Sequence, residues 1–306
     1  MIRFWLVKLA RTLLTIWFVI TFTFVVLRTS GDPVVALLGA DATPDEIEQF
    51  RTLWRLDDPL WMQYLRYLAQ MATGQFGISY RDGRQVMDII MERVPWTLLL
   101  GLFAYVGAML IGIPAGIFAA IKRGSFYDNF IMAGAVFGFA IPNFFLGILL
   151  ILLFSLTLQW LPSSGTGTVW HFIMPAFTLA TFTAGTLARF TRSAMLEVLD
   201  KLYMRAAAAK GVTYWKRIFF HALPNAGIPI VTVIGLNLGT LIGGTIVVET
   251  VFAWPGIGRL LVTAVSSRDL AVVQGLVLIM SITMITANLI VDLLYSLLDP
   301  RIRLSK

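Results

Sequence analysis

Very few residues in this chain have a type and spacing that could do covalent chemistry. The two histidines, His171 and His221, stand fifty residues apart. No HExxH is present, and no acids or cysteines gather near them to complete a zinc site. There is no G-x-x-x-x-G-K-[ST] loop to cradle nucleotide phosphates. Gly77-Ile78-Ser79 begins like a nucleophile elbow, but Tyr80 stands where the second glycine is needed. Asp32 and Asp128 flank apolar runs without the glycine context of an intramembrane aspartyl protease. Lacking a nucleophile with its base, the chain is not expected to be an enzyme.

What the spacing does suit is contact with another protein. Arg205 to Pro224 reads RAAAAKGVTYWKRIFFHALP, the longest polar interruption in the second half of a very apolar chain. Arg205 to Lys210 is four alanines framed by two bases, a strong helix former. Gly211 suits the left-handed residue just past a helix end. Thr213 can cap a second short helix carrying Tyr214, Trp215, Lys216 and Arg217, and Pro224 closes the unit. The expectation is a helix–turn–helix on a membrane surface, its alanine face bare enough for a partner backbone to approach.

The rest of the chain must position that unit. Apolar residues make up 58% of 306 positions and charged ones 13%, a balance that only an integral membrane protein can bury. Without cysteine there is neither a disulfide framework nor a thiolate metal site. Residues 9–27 form the first span, read as an uncleaved anchor. Further apolar runs near 96–121, 130–158, 172–190, 226–250 and 272–296 are each long enough to cross about 30 Å of hydrocarbon. The fold class expected is therefore an all-α integral membrane protein with six transmembrane helices and both termini on one side. The N-terminus, the 122–129 turn, the 189–225 loop and the tail hold 15 of the 24 Lys and Arg residues. The positive-inside rule makes these segments cytoplasmic. It also accounts for the net charge of +7 without nucleic acid.

Residues 30–95 carry ten acids against six bases and read as a helical segment outside the bilayer. Thr43-Pro44-Asp45-Glu46 is a capping box with proline at the first helical position. Asp58-Pro59 starts a second helix with Leu60, Tyr64, Leu68 and Met71 on one face, ended by Gly74. A third short helix is expected from Arg84 to Arg93, before Pro95. Within the spans, Gly235, Gly239 and Gly243, with Gly244 beside the last, form a four-residue ladder, and Gly112/Gly116 and Gly134/Gly138 repeat the spacing. Small residues so spaced allow close helix packing in lipid, either static or along a moving pathway. Pro142 and Pro175 are expected to interrupt their spans. Glu249 and Asp292 lie near span ends, where both can reach the interface, so no proton relay is built on them.

The 205–224 stretch resembles the cytoplasmic loop of ABC-importer permeases, whose pattern is EAA, three residues, Gly, nine residues, Ile, one residue, Leu-Pro. Ala206-Ala207, Gly211 and Leu223-Pro224 fall at the matching spacing, whereas Arg205 replaces the Glu and His221 the Ile. A basic first position is similar to the peptide/nickel branch (oligopeptide/dipeptide permease B-like), and the usual acidic contact does not carry over. The likeness extends through SGDP (30–33), GQFGISY (74–80), RVPWTLLLG (93–101), KRGSFYDN (122–129), RFTRSAMLEVL (189–199), ETVFAWPGIGRLL (249–261) and DLLYSLLDPRIR (292–303).

This resemblance implies a type I ABC-importer permease-like bundle. Its parts are a tail and first helix (1–29), a periplasmic helical segment (30–95), a transmembrane domain (96–298) with its coupling loop (191–225), and a cytoplasmic tail (299–306). It implies ATPase coupling through Arg205, Ala206, Ala207, Lys210, Gly211, His221, Leu223 and Pro224. On spacing alone, Gly235, Gly239, Gly243 and Gly244 are assigned to helix packing or the pathway. Trp254, Pro255, Gly256 and Arg259 are implied to meet a binding protein. The implied partners are a second homologous permease, two cytoplasmic ATPases that bind ATP and Mg, a periplasmic solute-binding protein and the lipid bilayer of the bacterial inner membrane. This chain itself is expected to hold no cofactor or metal. The solute stays open among peptides, nickel chelates, opines and glutathione-like compounds. A channel or secondary transporter would call for paired intramembrane charges or an inverted repeat, and neither is present. A reporter fused after Lys210 is expected to read cytoplasmic and one after Gly74 periplasmic. A periplasmic signal at Lys210 would overturn this topology.

Overall fold

In hydrocarbon, backbone N–H and C=O groups must find partners within the chain. The described residues meet that demand almost entirely with helices. The computed structural model describes residues 2–29, 42–54, 56–79, 81–238 and 241–298, so the SGDP stretch, Tyr80, Gly239 and the 299–306 tail lie outside the described residues. In chain order the helices are α1 (Ile2–Thr29), α2 (Pro44–Trp54), α3 (Leu60–Ala72), α4 (Val86–Ile121), α5 (Phe126–Ala140) and α6 (Asn143–Leu150), which runs on as a wide π-type turn, Ile151–Thr157. Then come α7 (Trp170–Leu199), α8 (Leu202–Ala209), α9 (Tyr214–Lys216), a second π-type stretch Arg217–Ala222, α10 (Leu223–Leu238), α11 (Leu241–Val251), α12 (Ile257–Ser266) and α13 (Leu270–Leu298). Among the described residues five helices are long and apolar enough to cross a membrane. They become six if α5 and α6, bent by 106° at Ile141-Pro142, are one broken span.

Several boundaries differ from expectation. The short helix expected to stop before Pro95 is the start of α4, which runs through that proline. The same holds for Pro175 inside α7. One proline removes a single backbone hydrogen bond, whereas stopping the helix would strip several groups of partners in an apolar medium. Pro142 does interrupt its span. The run near 226–250 is described as two helices, α10 and α11, and the membrane-length apolar helix there is Tyr214–Gly235.

The chain contacts divide it into two units. The first comprises residues 1–95 and 256–285. Its capping box forms as read: the Thr43 N–H donates to Glu46 Oε2 at 2.8 Å, and the Glu46 N–H to Thr43 Oγ1 at 3.4 Å. The Thr43 backbone N–H, followed by its hydroxyl, holds the Glu46 carboxyl below its ordinary pKa. Gly74, at φ 71°, ends the turn after α3. Tyr64, Leu68 and Met71 pack with Ile20, Phe24 and Tyr67, but Leu60 faces out, 64% exposed. Val86, Ile89 and Ile90 share a core with Ile257, Ala264, Val272 and Leu276. The described residues of 42–95 thus belong with 256–271 to one packed unit. Ser79 Oγ donates to Asp269 Oδ2 at 2.5 Å, joining the GQFGISY stretch to the start of α13.

The second unit, residues 96–255 and 286–306, is built on α7. Side chains from Met174 through Val198 are buried on several sides of that helix. Its neighbours come very close. A Cβ placed on Gly116 would lie 2.5 Å from the Ala188 carbonyl oxygen, and one on Gly112 would lie 2.6 Å from that of Ala184. A Cβ on Gly185 would meet the Ala135 oxygen at 2.5 Å, and one on Gly138 would meet Thr181 Cγ2 at 2.8 Å. The Gly112/Gly116 pair therefore packs backbone to backbone, as its spacing suggests. Gly134 differs, with nothing within 4 Å of its absent Cβ. Gly116→Ala is expected to destabilise the folded protein by about 1–3 kcal/mol through overpacking. Gly134→Ala should be neutral or stabilising, since alanine is the better helix former by up to about 1 kcal/mol. Thermal unfolding of both purified variants in one detergent checks the contrast; equal melting points would refute it.

Candidate functional site

The helix α8 forms where alanines dominate, and one long side chain ties it down. Met204, 4% exposed, packs with Met195 and Val198 of α7 and with Ile218, Ala222 and Ala226. The other face is open: Leu202 is 80% exposed, and Arg205, Ala206, Ala208, Ala209 and Lys210 are exposed, with Ala207 half-buried. Gly211, at φ 79°, ends the helix in a paired-bond turn. Its own N–H donates to the Ala208 carbonyl at 3.0 Å, and the Val212 N–H to that of Ala207 at 3.1 Å. Both are the bonds of a glycine-ended helix. The turn expected at Gly211 is present.

Beyond the turn, the chain departs from the short second helix expected. Thr213 precedes α9 in extended conformation, but its hydroxyl makes no capping bond; only its carbonyl accepts, from the Arg217 N–H at 3.0 Å. The helical path then continues through Arg217–Ala222 into α10. Pro224 sits exposed in the first turn of α10 and closes nothing, because a proline's missing N–H costs little where the helix is just re-registering from π to α. His221 and Leu223 are half-buried in this stretch, and the His221 carbonyl accepts from Asn225 Nδ2 at 2.6 Å. The unit is thus one short helix, a glycine turn, and the start of a long apolar helix.

Two ion pairs hold the 122–129 turn to the end of α7. Asp128, 2% exposed, accepts from Arg192 Nε at 2.6 Å and Nη2 at 2.7 Å, and also from the Gly124 N–H at 2.9 Å. Arg123 reaches Asp200 at 3.2 Å on the surface. The sequence alone assigned Asp128 no partner. The signal available was that KRGSFYDN and RFTRSAMLEVL, two of the resemblance stretches, each carry one half of the pair.

The other expected site residues spread out. Gly235 is buried in α10, and Gly243 lies in α11. A Cβ on Gly244 would make ordinary contacts, 3.7 Å from Leu179 Cδ2 and 3.8 Å from Asn143 Nδ2, beside the break between α5 and α6. Trp254 cannot present its ring to a partner: it is fully buried, 4.4 Å from Phe172 and 5.6 Å from Trp96 between ring centroids, with Nε1 donating to the Trp96 carbonyl at 3.1 Å. A large ring with one donor is best satisfied inside a core that supplies an acceptor. Pro255 is half-buried, Gly256 buried and Arg259 exposed. Glu249, expected near the interface, is instead fully buried and accepts from Thr97 Oγ1 at 2.6 Å. Asp292 falls within α13.

The chain resembles known proteins over most of its length. Residues 112–304 match the family model described as binding-protein-dependent transport system inner membrane component, and residues 1–101 match the N-terminal model of such membrane components. The chain is 44% identical over 273 residues to the glutathione transport system permease protein GsiC of Escherichia coli (strain K12), covering 89% of each. It is 39% identical over 307 residues to the oligopeptide transport system permease protein AppB of Bacillus subtilis (strain 168), covering 95% of this chain and 97% of that one. Its fold is similar to the MetNI methionine ABC transporter in an inward facing conformation, with a TM-score of 0.58 and 20% identity over 70% of this chain and 97% of that chain. An amino acid ABC transporter gives a TM-score of 0.52 at 18% identity over 68% and 93%. Asp128→Ala is expected to destabilise the protein by about 3 kcal/mol, the lower end for a broken buried pair because the Arg192 side chain stays 27% exposed. Asp200→Ala, in an exposed pair, should leave the melting temperature almost unmoved. Thermal unfolding of both variants tests this; equal losses would show that burial of Asp128 does not matter.

Proposed function

The chain belongs to the family of binding-protein-dependent transport system inner membrane components, and we propose that it forms half of the translocation pathway for peptides or similarly sized solutes. It is a multi-pass membrane permease subunit of an ABC importer, not an enzyme. The solute class rests on the relatives, one named for glutathione and one for oligopeptides, both peptide-like. A periplasmic binding protein delivers the solute, a second homologous permease completes the pathway, and two cytoplasmic ATPases bind ATP and Mg. Both termini and residues 205–224 are cytoplasmic in this reading, as the charge distribution favours.

The observation that carries the reading is the open face of α8. Ala206, Ala208, Ala209 and Gly211 project a small-residue surface flanked by the exposed bases Arg205 and Lys210, while Met204 anchors the opposite side to the end of α7. A short helix held so can transmit a push from an ATPase cleft to the bundle. Alternating access then follows from two discrete packings, biased by the different affinity of each for nucleotide. Trp254 and Gly256 drop out of the proposed binding-protein surface because both are buried; exposed Arg259 remains its candidate.

Gly211→Asp tests the coupling role. The substituent meets open space, with nothing within 4 Å, so within this chain the cost is confined to the positive φ. That strain is about 1 kcal/mol, the lower end for an L-residue in the left-handed region because aspartate adopts it more readily than most. The variant is expected to insert and assemble normally yet lose most solute uptake and transport-coupled ATP hydrolysis. Reduced membrane yield with normal coupling per complex would instead make the unit a lipid anchor. Full coupling in a normally assembled variant would sink the assignment.

A further inference from the structure

Beside α8 lies a groove of about 380 Å³ with a mixed lining. Met204, Ala208 and Ile218 give it apolar lining, Arg205 and Arg217 basic lining, and Tyr214 an aromatic ring. Arg217 lies over the Tyr214 ring, 5.6 Å from its centroid. Its Nε is shut off from water and has no hydrogen-bond partner among the described residues. A buried, unmet guanidinium N–H is costly, and an anion in the groove that draws the side chain toward it removes that cost. None of the described residues supplies that anion. Between residues 189 and 225 seven bases face two acids. Both acids are committed, Glu197 to Lys201 at 3.0 Å and Asp200 to Arg123 at 3.2 Å.

We propose that this groove receives an acidic side chain, Asp or Glu, of the cytoplasmic ATPase, with Arg205 and Arg217 as its two cationic contacts. The proposal rests on the coupling reading above and deepens it by naming the chemistry of the partner contact. The groove's apolar lining suits the methylene stem of such a side chain, and its guanidinium groups suit the carboxylate. Arginine is the better residue for this, since its planar fork meets a carboxylate through two parallel bonds. The neighbouring residues that suit lipid are elsewhere. Trp215 and Phe219, 59% and 51% exposed and stacked at 6.0 Å, do not line the groove. The aromatic surface is available to the bilayer, which leaves the basic groove to a protein carboxylate.

The chain contains no cysteine, so single-cysteine variants give an unambiguous crosslink. In the assembled complex, Ala206→Cys, outside the groove on the open α8 face, reports whether the unit meets the ATPase at all. Arg217→Glu, alone and with Arg205→Glu, then reports on the carboxylate. The expected result is an Ala206→Cys crosslink to the ATPase, with transport-coupled ATP hydrolysis of the charge-reversed variants reduced roughly tenfold or more. A single Asp or Glu to Lys change in the ATPase should restore it, and Arg217→Lys should retain part of the activity. If the crosslink forms but charge reversal leaves coupling intact, the groove proposal fails while the coupling reading stands. The groove proposal also fails if no ATPase charge reversal rescues and the defect instead tracks the anionic lipid content of the vesicles, which would make the occupant a headgroup. Loss of the crosslink overturns both.

Discussion

The second unit depends on backbone meeting backbone along α7. In lipid there is no hydrophobic reward for bringing helices together, so packing and interhelical hydrogen bonds must supply the attraction. Gly112 and Gly116 on one neighbour, and Gly185 of α7 itself against Ala135 on the other, leave no room for a Cβ. Contact at that range maximises dispersion between helices, and it tolerates few intermediate positions. Interdigitated surfaces tend to be bistable rather than continuously deformable. This property is what a pathway that alternates between two packings requires.

The polar groups that the membrane would punish are met locally. Glu249 receives the Thr97 hydroxyl, Tyr105 donates to the Ile234 carbonyl near the end of α10, and Trp254 donates to Trp96. On the 122–129 turn, outside the expected spans, Asp128 is enclosed by Arg192 and the Gly124 N–H. Each bond except the one from Gly124 ties together parts of the second unit that are distant in sequence. The Asp128–Arg192 pair has a further effect, because it fixes the α7 end on which Met204 seats α8. In the proposed coupling role, a lever needs such a fixed seat, or a push on its open face would be absorbed as local rearrangement.

The π-type stretch Arg217–Ala222 also belongs to this logic. A π turn shifts the register of all later side chains, and such turns often occur at functional sites. Here it aims Ile218 and Ala222 into the core with Met204 while Arg217 stays at the groove. A regular helix from Tyr214 onward would present these residues at other angles.

The sequence alone determined the helical membrane class, the Gly211 turn, the Thr43 capping box, the Gly74 stop, and the close packing at Gly112 and Gly116. Each depends on local chemistry or on short-period spacing: apolar run length, a left-handed glycine, a side chain bonding three residues away, a glycine every fourth position. Only the tertiary structure decided the pairings between distant stretches, such as Asp128 with Arg192, Thr97 with Glu249 and Ser79 with Asp269. It also decided which prolines matter. Pro142 accompanies a 106° bend, whereas Pro95, Pro175 and Pro224 sit inside continuing helices. A proline inside a helix removes one N–H donor and crowds the preceding turn, whatever follows it. Whether the helix bends there depends on whether neighbours can satisfy the groups a break would free. Trp254 makes the same point: an aromatic in a Trp-Pro-Gly loop reads as a surface contact until Trp96 and Phe172 close around it.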